Sequence, residues 1–223
     1  MNKQLIHRFA QIGVMIPEVL LPSKDVDMSK WPVVACDQYT SQHEYWAEVE
    51  RIVGDSPSTL HLIFPEIYLE HEGKEERFKK IANNMKKYID EGLLVSQRPG
   101  FILVDRKTSH SESRKGLIIA VDLEKYDYTK GSQTLIRATE GTVMERLPPR
   151  IKIRENASIE LPHIMLLIDD SDKTVIEPVA KNAANLELLY DCDLMMNGEH
   201  VRGYRVDDEK LISGILEALE HLA

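Results

Sequence analysis

Four arginines, Arg137, Arg146, Arg150 and Arg154, stand close together beside Thr139, Glu140, Thr142 and Glu145, in a chain whose net charge is -9. A guanidinium is a planar, permanently charged fork that matches phosphate or carboxylate oxygens two at a time, so this cluster suits a small, multiply charged anion. Arg146, Arg150 and Arg154 have the spacing of one helical face. Pro148 and Pro149 oppose a continuous helix, because each lacks an amide donor and restricts the residue before it. Ile151 and Ile153 alternate with Lys152 and Arg154, which predicts a strand with Arg150, Lys152 and Arg154 on one face. The competing reading is a solvated surface on which these arginines pair with nearby glutamates.

A second group with chemical potential is the polar string Asp37, Gln38, Tyr39, Thr40, Ser41. It follows the apolar run Pro32 to Cys36, read as a strand or extended segment. Ser41 and Glu44 have the spacing of a capping box, and Trp46, Val49, Ile52 and Val53 continue at helical intervals, so a helix is expected to begin near Ser41. Its unpaired first amides and its dipole would favour an anion, with Asp37 and Ser41 at the mouth. The competing role for both residues is to organise the turn. His163 is a further possible base, or a histidine hydrogen-bonded at a strand end, whereas His110 has no partner at catalytic or metal-binding spacing.

The elements that must carry these groups read as follows. Residues 12–21 suit an edge strand interrupted by Pro17. Phe78, Ile81, Ala82, Met85, Tyr88 and Ile89 define an amphipathic helix stopped at Gly92. The apolar runs 100–105 and 116–123 predict antiparallel neighbours joined by a mobile polar loop. Residues 164–168 read as a buried strand followed by a turn, 180–190 as a helix, and 198–206 as a hairpin strand. A closing amphipathic helix spans residues 207–222. Strands and helices interleave without regular βαβ spacing, which predicts one mixed α+β domain over residues 1–223, a largely antiparallel sheet with flanking helices.

Composition narrows the function classes. With 43% hydrophobic and 29% charged residues the chain has an ordinary globular balance. No apolar run approaches a membrane span and the start lacks a secretory core, so a cytoplasmic protein without a membrane partner is expected. Cys36 and Cys192 lie far apart and outside any metal-binding spacing, which predicts two buried small hydrophobes and no protein metal site. The acidic balance and a pI near 5.4 argue against a nucleic-acid partner. Glycine-rich nucleotide loops and nucleophile elbows are missing.

Three blocks, residues 31–70, 138–178 and 194–206, resemble the bacterial domain-of-unknown-function family 1015, which is itself similar to the free-serine kinases of the ParB/sulfiredoxin superfamily. The resemblance implies a ParB/sulfiredoxin-like fold and transfer of a phosphoryl group from pyrophosphate, or a nucleotide, to the hydroxyl of free L-serine, with Mg2+. On this reading Arg146, Arg150 and Arg154 neutralise the donor, Thr139 and Thr142 bond its oxygens, Ser41 lines the site, and Glu140 or Asp37 orients or deprotonates the serine hydroxyl. Two departures stand against the pattern. Glu199 occupies a position where the resemblance implies glycine. A DGNHS-type motif, expected after the last helix, does not occur in the 223 residues. The chain therefore looks like an N-terminal part of a longer family protein, expected to be inactive if that motif supplies the acid–base groups. The alternative is a non-catalytic phosphate- or nucleotide-binding regulatory domain of ParB-like fold.

Overall fold

The computed structural model describes residues 2–127, 129–137, 141, 143–144, 147–161 and 163–222. Its centre is a four-stranded antiparallel sheet built from β4 (Phe101–Thr108), β5 (Ser111–Ile118), β9 (Leu188–Asp193) and β10 (His200–Val206), in the order β5-β4-β10-β9. Side chains alternate across a strand, so Phe101, Leu103 and Val206 share one face, and that face is covered by helices. These are α1 (Lys3–Gln11), α5 (Ile176–Lys181) and α6 (Glu209–Leu222). Asp208 accepts from the amides of Lys210 and Leu211 at 3.0 Å and so starts α6, whose Ile212, Ile215 and Leu216 fall on one buried stripe. Phe9 of α1 meets Phe101 edge-to-face at 5.3 Å, and Arg8 ties α1 to Glu220 of α6 at 2.5 Å.

Two further cores sit under α2 (His43–Val53) and α3 (Lys74–Asp90). Helix α3 buries Phe78, Ile81, Met85 and Tyr88 against Trp31, Phe64 and Leu94. Leu94 begins β3 (Leu94–Ser96), which pairs antiparallel with β2 (Leu20–Pro22). Helix α2 buries Tyr45, Trp46, Val49 and Val53 against Leu60, Ile63 and Met195. Small pairs complete the chain: β1 (Val14–Met15) with β6 (Ala120–Val121), antiparallel, and β7 (Tyr126–Asp127) with β8 (Ile136–Arg137), parallel. The fold is mixed α+β, with six α-helices among the described residues and several antiparallel sheets.

The long amphipathic helices and the central hairpin follow the sequence pattern. Elsewhere the structure departs from it. Residues 12–21 split around Pro17 into β1 and β2, which join different partners. The polar stretch expected as a loop between β4 and β5 is mostly strand, because the two strands keep pairing out to Thr108 and Ser111. The expected helix at 180–190 ends at Lys181, and Leu188 to Asp193 instead pair with β10, tertiary pairing overriding local propensity. The apolar run 164–168, expected as a buried strand, is exposed and in no ladder.

Candidate functional site

Residues 147–154 form a helix, α4 (Leu147–Arg154), where the alternation of Ile151 and Ile153 had suggested a strand. Pro148 and Pro149 sit in its first turn, where a missing amide has no intrahelical acceptor to lose and the fixed φ already suits a helix. Arg150 and Arg154 consequently share a helical face at i, i+4 spacing and Lys152 points elsewhere. Each cation finds a glutamate: Arg150 with Glu66, Lys152 with Glu75 of α3, and Arg154 with Glu160. Ile153 packs into the core beneath α3, which fixes the helix against the body of the fold.

The Arg150 pair joins the two regions singled out by their chemistry. Arg150 Nη2 donates to Glu66 Oε1 at 2.5 Å, and the backbone amide of Glu66 donates to the carbonyl of Cys36 at 2.8 Å. Asp37 is the next residue. The hydrogen bond to Glu66 raises the pKa of the Arg150 guanidinium, burial opposes it, and the charges of Glu66, Cys36 and Asp37 add to the rise. Glu66 is the enclosed member, its side chain 9% exposed against 47% for Arg150. Asp37 is exposed. Burial pushes the Cys36 thiol up to about 11, Asp37 and Glu66 add to this, and Arg150 opposes it.

The turn carrying Asp37 is held by aromatic contacts. Trp46 Nε1 donates to the Gln38 carbonyl at 3.3 Å. Tyr39 has φ +53°, a left-handed conformation that a non-glycine residue adopts only when its surroundings impose it. Its ring stacks on Tyr45 at 4.0 Å, and its hydroxyl donates to Asn197 Oδ1 at 3.2 Å. Tyr45 in turn donates to the Met195 carbonyl at 2.8 Å, so the turn at 194–198 braces the turn at 36–42. Glu199, where the resemblance implied glycine, accepts from Arg106 of β4, while Gly198 takes the left-handed position with φ +71°.

Of the residues expected to form a site, Asp37 and Arg150 are brought together. Ser41 is exposed and does not cap α2: the N-cap is Gln42, with no side-chain cap bond. Arg154 is held by Glu160, and among the described residues neither it nor Ser41 is bonded to the Arg150–Glu66 pair. Thr139, Glu140, Thr142 and Arg146 lie outside the described residues. His163 is exposed, yet crowding around its ring lowers its pKa, and it is not at the Arg150 pair. Glu66 was missed from the sequence: it follows Pro65 in an apolar stretch and has no charged neighbour to mark it. Asn197 was missed as well, although its Nδ2 is buried and without a hydrogen-bond partner.

The profile of the family described as "Protein of unknown function (DUF1015)" matches residues 20–223. The chain belongs to the DUF1015 family. No curated protein and no solved structure matches it. The DUF1015 match takes in both the Asp37 turn and α4, and it leaves out α1 and β1. Among the described residues of this DUF1015 protein, no group of three or more His, Cys, Asp or Glu side chains could hold a metal ion. The carboxylates beside the Arg150 guanidinium are Glu66, which is bonded to it, and the exposed Asp37. No helix among the described residues is long and apolar enough to cross a membrane.

Proposed function

We propose that this DUF1015 protein is a cytoplasmic phosphotransferase of ParB/sulfiredoxin-like fold that moves a phosphoryl group from pyrophosphate, or a nucleotide, to the hydroxyl of free L-serine. The observation that carries the reading is the meeting of a guanidinium and an exposed carboxylate from distant parts of the chain, Arg150 and Asp37, around Glu66. Phosphoryl transfer asks little covalent chemistry of a protein and much positioning and charge stabilisation. Arg150, with Arg146 and Arg154, neutralises the donor, Thr139 and Thr142 bond its oxygens, and Ser41 lines the approach to the Asp37 turn. The serine hydroxyl gives its proton to Asp37 or Glu140 as its oxygen forms the new bond to phosphorus. The bridging P–O bond of the donor breaks, and orthophosphate leaves from pyrophosphate, or the nucleoside diphosphate from a nucleoside triphosphate. When bound, magnesium would supply neutralisation of donor charge, and whichever of Asp37 and Glu140 does not take the serine proton would be free to hold it.

Calorimetric titration with magnesium pyrophosphate, then ATP and ADP, each with and without L-serine, tests this directly. The reading expects pyrophosphate to bind, and phosphoserine to form in a parallel assay unless the absent DGNHS-type motif supplies the acid–base groups. In a full-length family protein carrying the DGNHS-type motif, Glu140→Gln is expected to spare binding and abolish transfer; unchanged turnover there would remove Glu140 from the mechanism. The absence of both binding and phosphoserine would overturn the reading. A second reading, a regulatory domain that binds phosphate or nucleotide without turnover, is favoured by one feature: the DGNHS-type motif that would supply acid–base groups does not occur in the sequence. Binding without phosphoserine would select it.

A further inference from the structure

The segment Ile164 to Ile168 is a run of five large apolar side chains outside any helix, turn or ladder, with Ile164 73%, Met165 68%, Leu166 43%, Leu167 77% and Ile168 43% exposed. Scattered exposed hydrophobes need no explanation, but a contiguous run of this kind does. Both ends are tethered. Upstream, Ala157, Ile159 and Leu161 pack into the core beneath α3. Downstream, Asp170 accepts from the amides of Thr174 and Val175 at 2.9 and 2.8 Å, which sets the entry to α5, and α5 packs on the central sheet. Between the tethers the segment passes β5, where the Arg114 guanidinium touches the sulfur of Met165. Among the described residues strand β5 is an edge that pairs with β4 alone, leaving its other side without a ladder partner.

We propose that Ile164–Ile168 is a strap that closes on the free edge of β5 and adds a fifth strand to the sheet, in the order strap-β5-β4-β10-β9. The side-chain alternation fixes how it closes. Leu117 of β5 lies opposite Leu103 and faces the core under α1, α5 and α6, so Arg114 points to the opposite face. Met165 meets Arg114 on that opposite face. Ile164, Leu166 and Ile168 therefore turn toward the core, next to Leu117 and Ile119, while Met165 and Leu167 stay outside. From Met165 onward the alternation is already visible in the open segment, since Leu166 and Ile168 are less exposed than Met165 and Leu167, while Ile164 is still exposed. Closure satisfies the unpaired backbone groups of both β5 and the strap, and it removes an apolar edge that would otherwise invite pairing between molecules.

The test separates the two faces of the strap. In a strap that stays open, Leu166→Asp and Leu167→Asp are equivalent surface changes, each leaving Tm within a degree or two. In the closed strap Leu166→Asp places a carboxylate in the core and lowers Tm by roughly 5 °C or more, while Leu167→Asp leaves it unchanged. Hydrogen exchange of the intact wild-type chain gives a second measure: the closed strap protects amides in 164–168 and on the free side of β5 at least tenfold over an unpaired strand. Equal effects of the two substitutions, with unprotected amides in both segments, would overturn the proposal. Protection that rises with protein concentration together with a dimeric sedimentation mass would also overturn it, by assigning the edge to a second copy.

Discussion

Arg150 and Glu66 lie far apart in the chain, yet Nη2 of one donates to Oε1 of the other at 2.5 Å, and this pair fastens helix α4 to the turn that begins at Cys36. The pair is asymmetric. The guanidinium reaches solvent along one side, while the carboxylate is almost enclosed. An arriving anion can therefore engage the remaining donors of Arg150 before it competes for those given to Glu66, and the two regions expected to form an anion site are held in one place without the ligand.

On the proposed function, replacing Arg150 with alanine removes a charge-assisted bond to the donor and is expected to weaken pyrophosphate binding about tenfold or more. It also withdraws the guanidinium from an enclosed carboxylate, so a loss of about 1 kcal/mol in stability is expected, more than a solvated arginine alone would give. Arg150→Lys separates the effects: it keeps the charge near Glu66 but loses the planar fork, so stability recovers further than affinity. Denaturant melts and calorimetry on both variants measure the two quantities. Equal recovery of both would show that charge alone matters.

Glu66→Gln works in the opposite direction on the ligand. The amide keeps an acceptor oxygen for Arg150 but removes the negative charge competing with an anion, so pyrophosphate affinity is expected to rise several-fold, by roughly 1 kcal/mol. The gain should shrink as salt is added, because part of it is electrostatic. A fall in affinity would mean that Glu66 contacts the ligand or its metal directly.

The helices α2, α3 and α6 and the β4–β5 hairpin were legible because each carries a period, 3.6 or 2, that burial then reinforces: Phe78, Ile81, Met85 and Tyr88 in α3 are the plainest case. What misled was short apolar alternation. Ile151 and Ile153 read as a strand, but eight residues carry too little periodicity to distinguish it from a helix led by two prolines. Leu188 to Asp193 went the other way, because the strand is defined by its partner β10 and not by its own composition. At the site, Asp37 and Arg150 were visible as charges in unusual company. Glu66 and Asn197 were not, since their roles come from a backbone bond to Cys36 and a hydroxyl from Tyr39, contacts that no local spacing encodes.

The thiol of Cys36 offers a pH test of this junction. Burial first, then Asp37 and Glu66, raise it from 9.0 to about 11. At pH 8 its thiolate fraction is roughly 100-fold below that of an unperturbed cysteine, so iodoacetamide should label it slowly in the native protein and rapidly in denaturant. The sign for stability follows: a pKa raised by folding contributes stability that is fully present below pH 9 and is lost as pH rises toward 11. Because burial dominates, Asp37→Asn should speed labelling only slightly. A large acceleration would mean that the charge of Asp37, and not enclosure, governs the thiol.

Gly203 tests the sheet that carries the second turn. It lies in β10 opposite Tyr190 of β9, where the register of the pair shifts, and a Cβ built there would fall 2.1 Å from the tyrosine Cζ. The ring crosses directly over the glycine, and burial pushes its hydroxyl up to about 12. Gly203→Ala must therefore expel the ring or part the strands, and a loss of about 2–3 kcal/mol is expected. If the ring is the obstacle, Tyr190→Ala combined with Gly203→Ala should cost less than the sum of the two single changes, because the second substitution no longer meets the ring. Strict additivity would place the cost of Gly203→Ala in the backbone of β10 and not in its contact with Tyr190. The cycle also bears on the site: β9 leads into the turn at 194–198, whose Met195 carbonyl and Asn197 side chain hold Tyr45 and Tyr39. Parting β9 from β10 should therefore loosen the Asp37 turn and lower pyrophosphate affinity together with Tm.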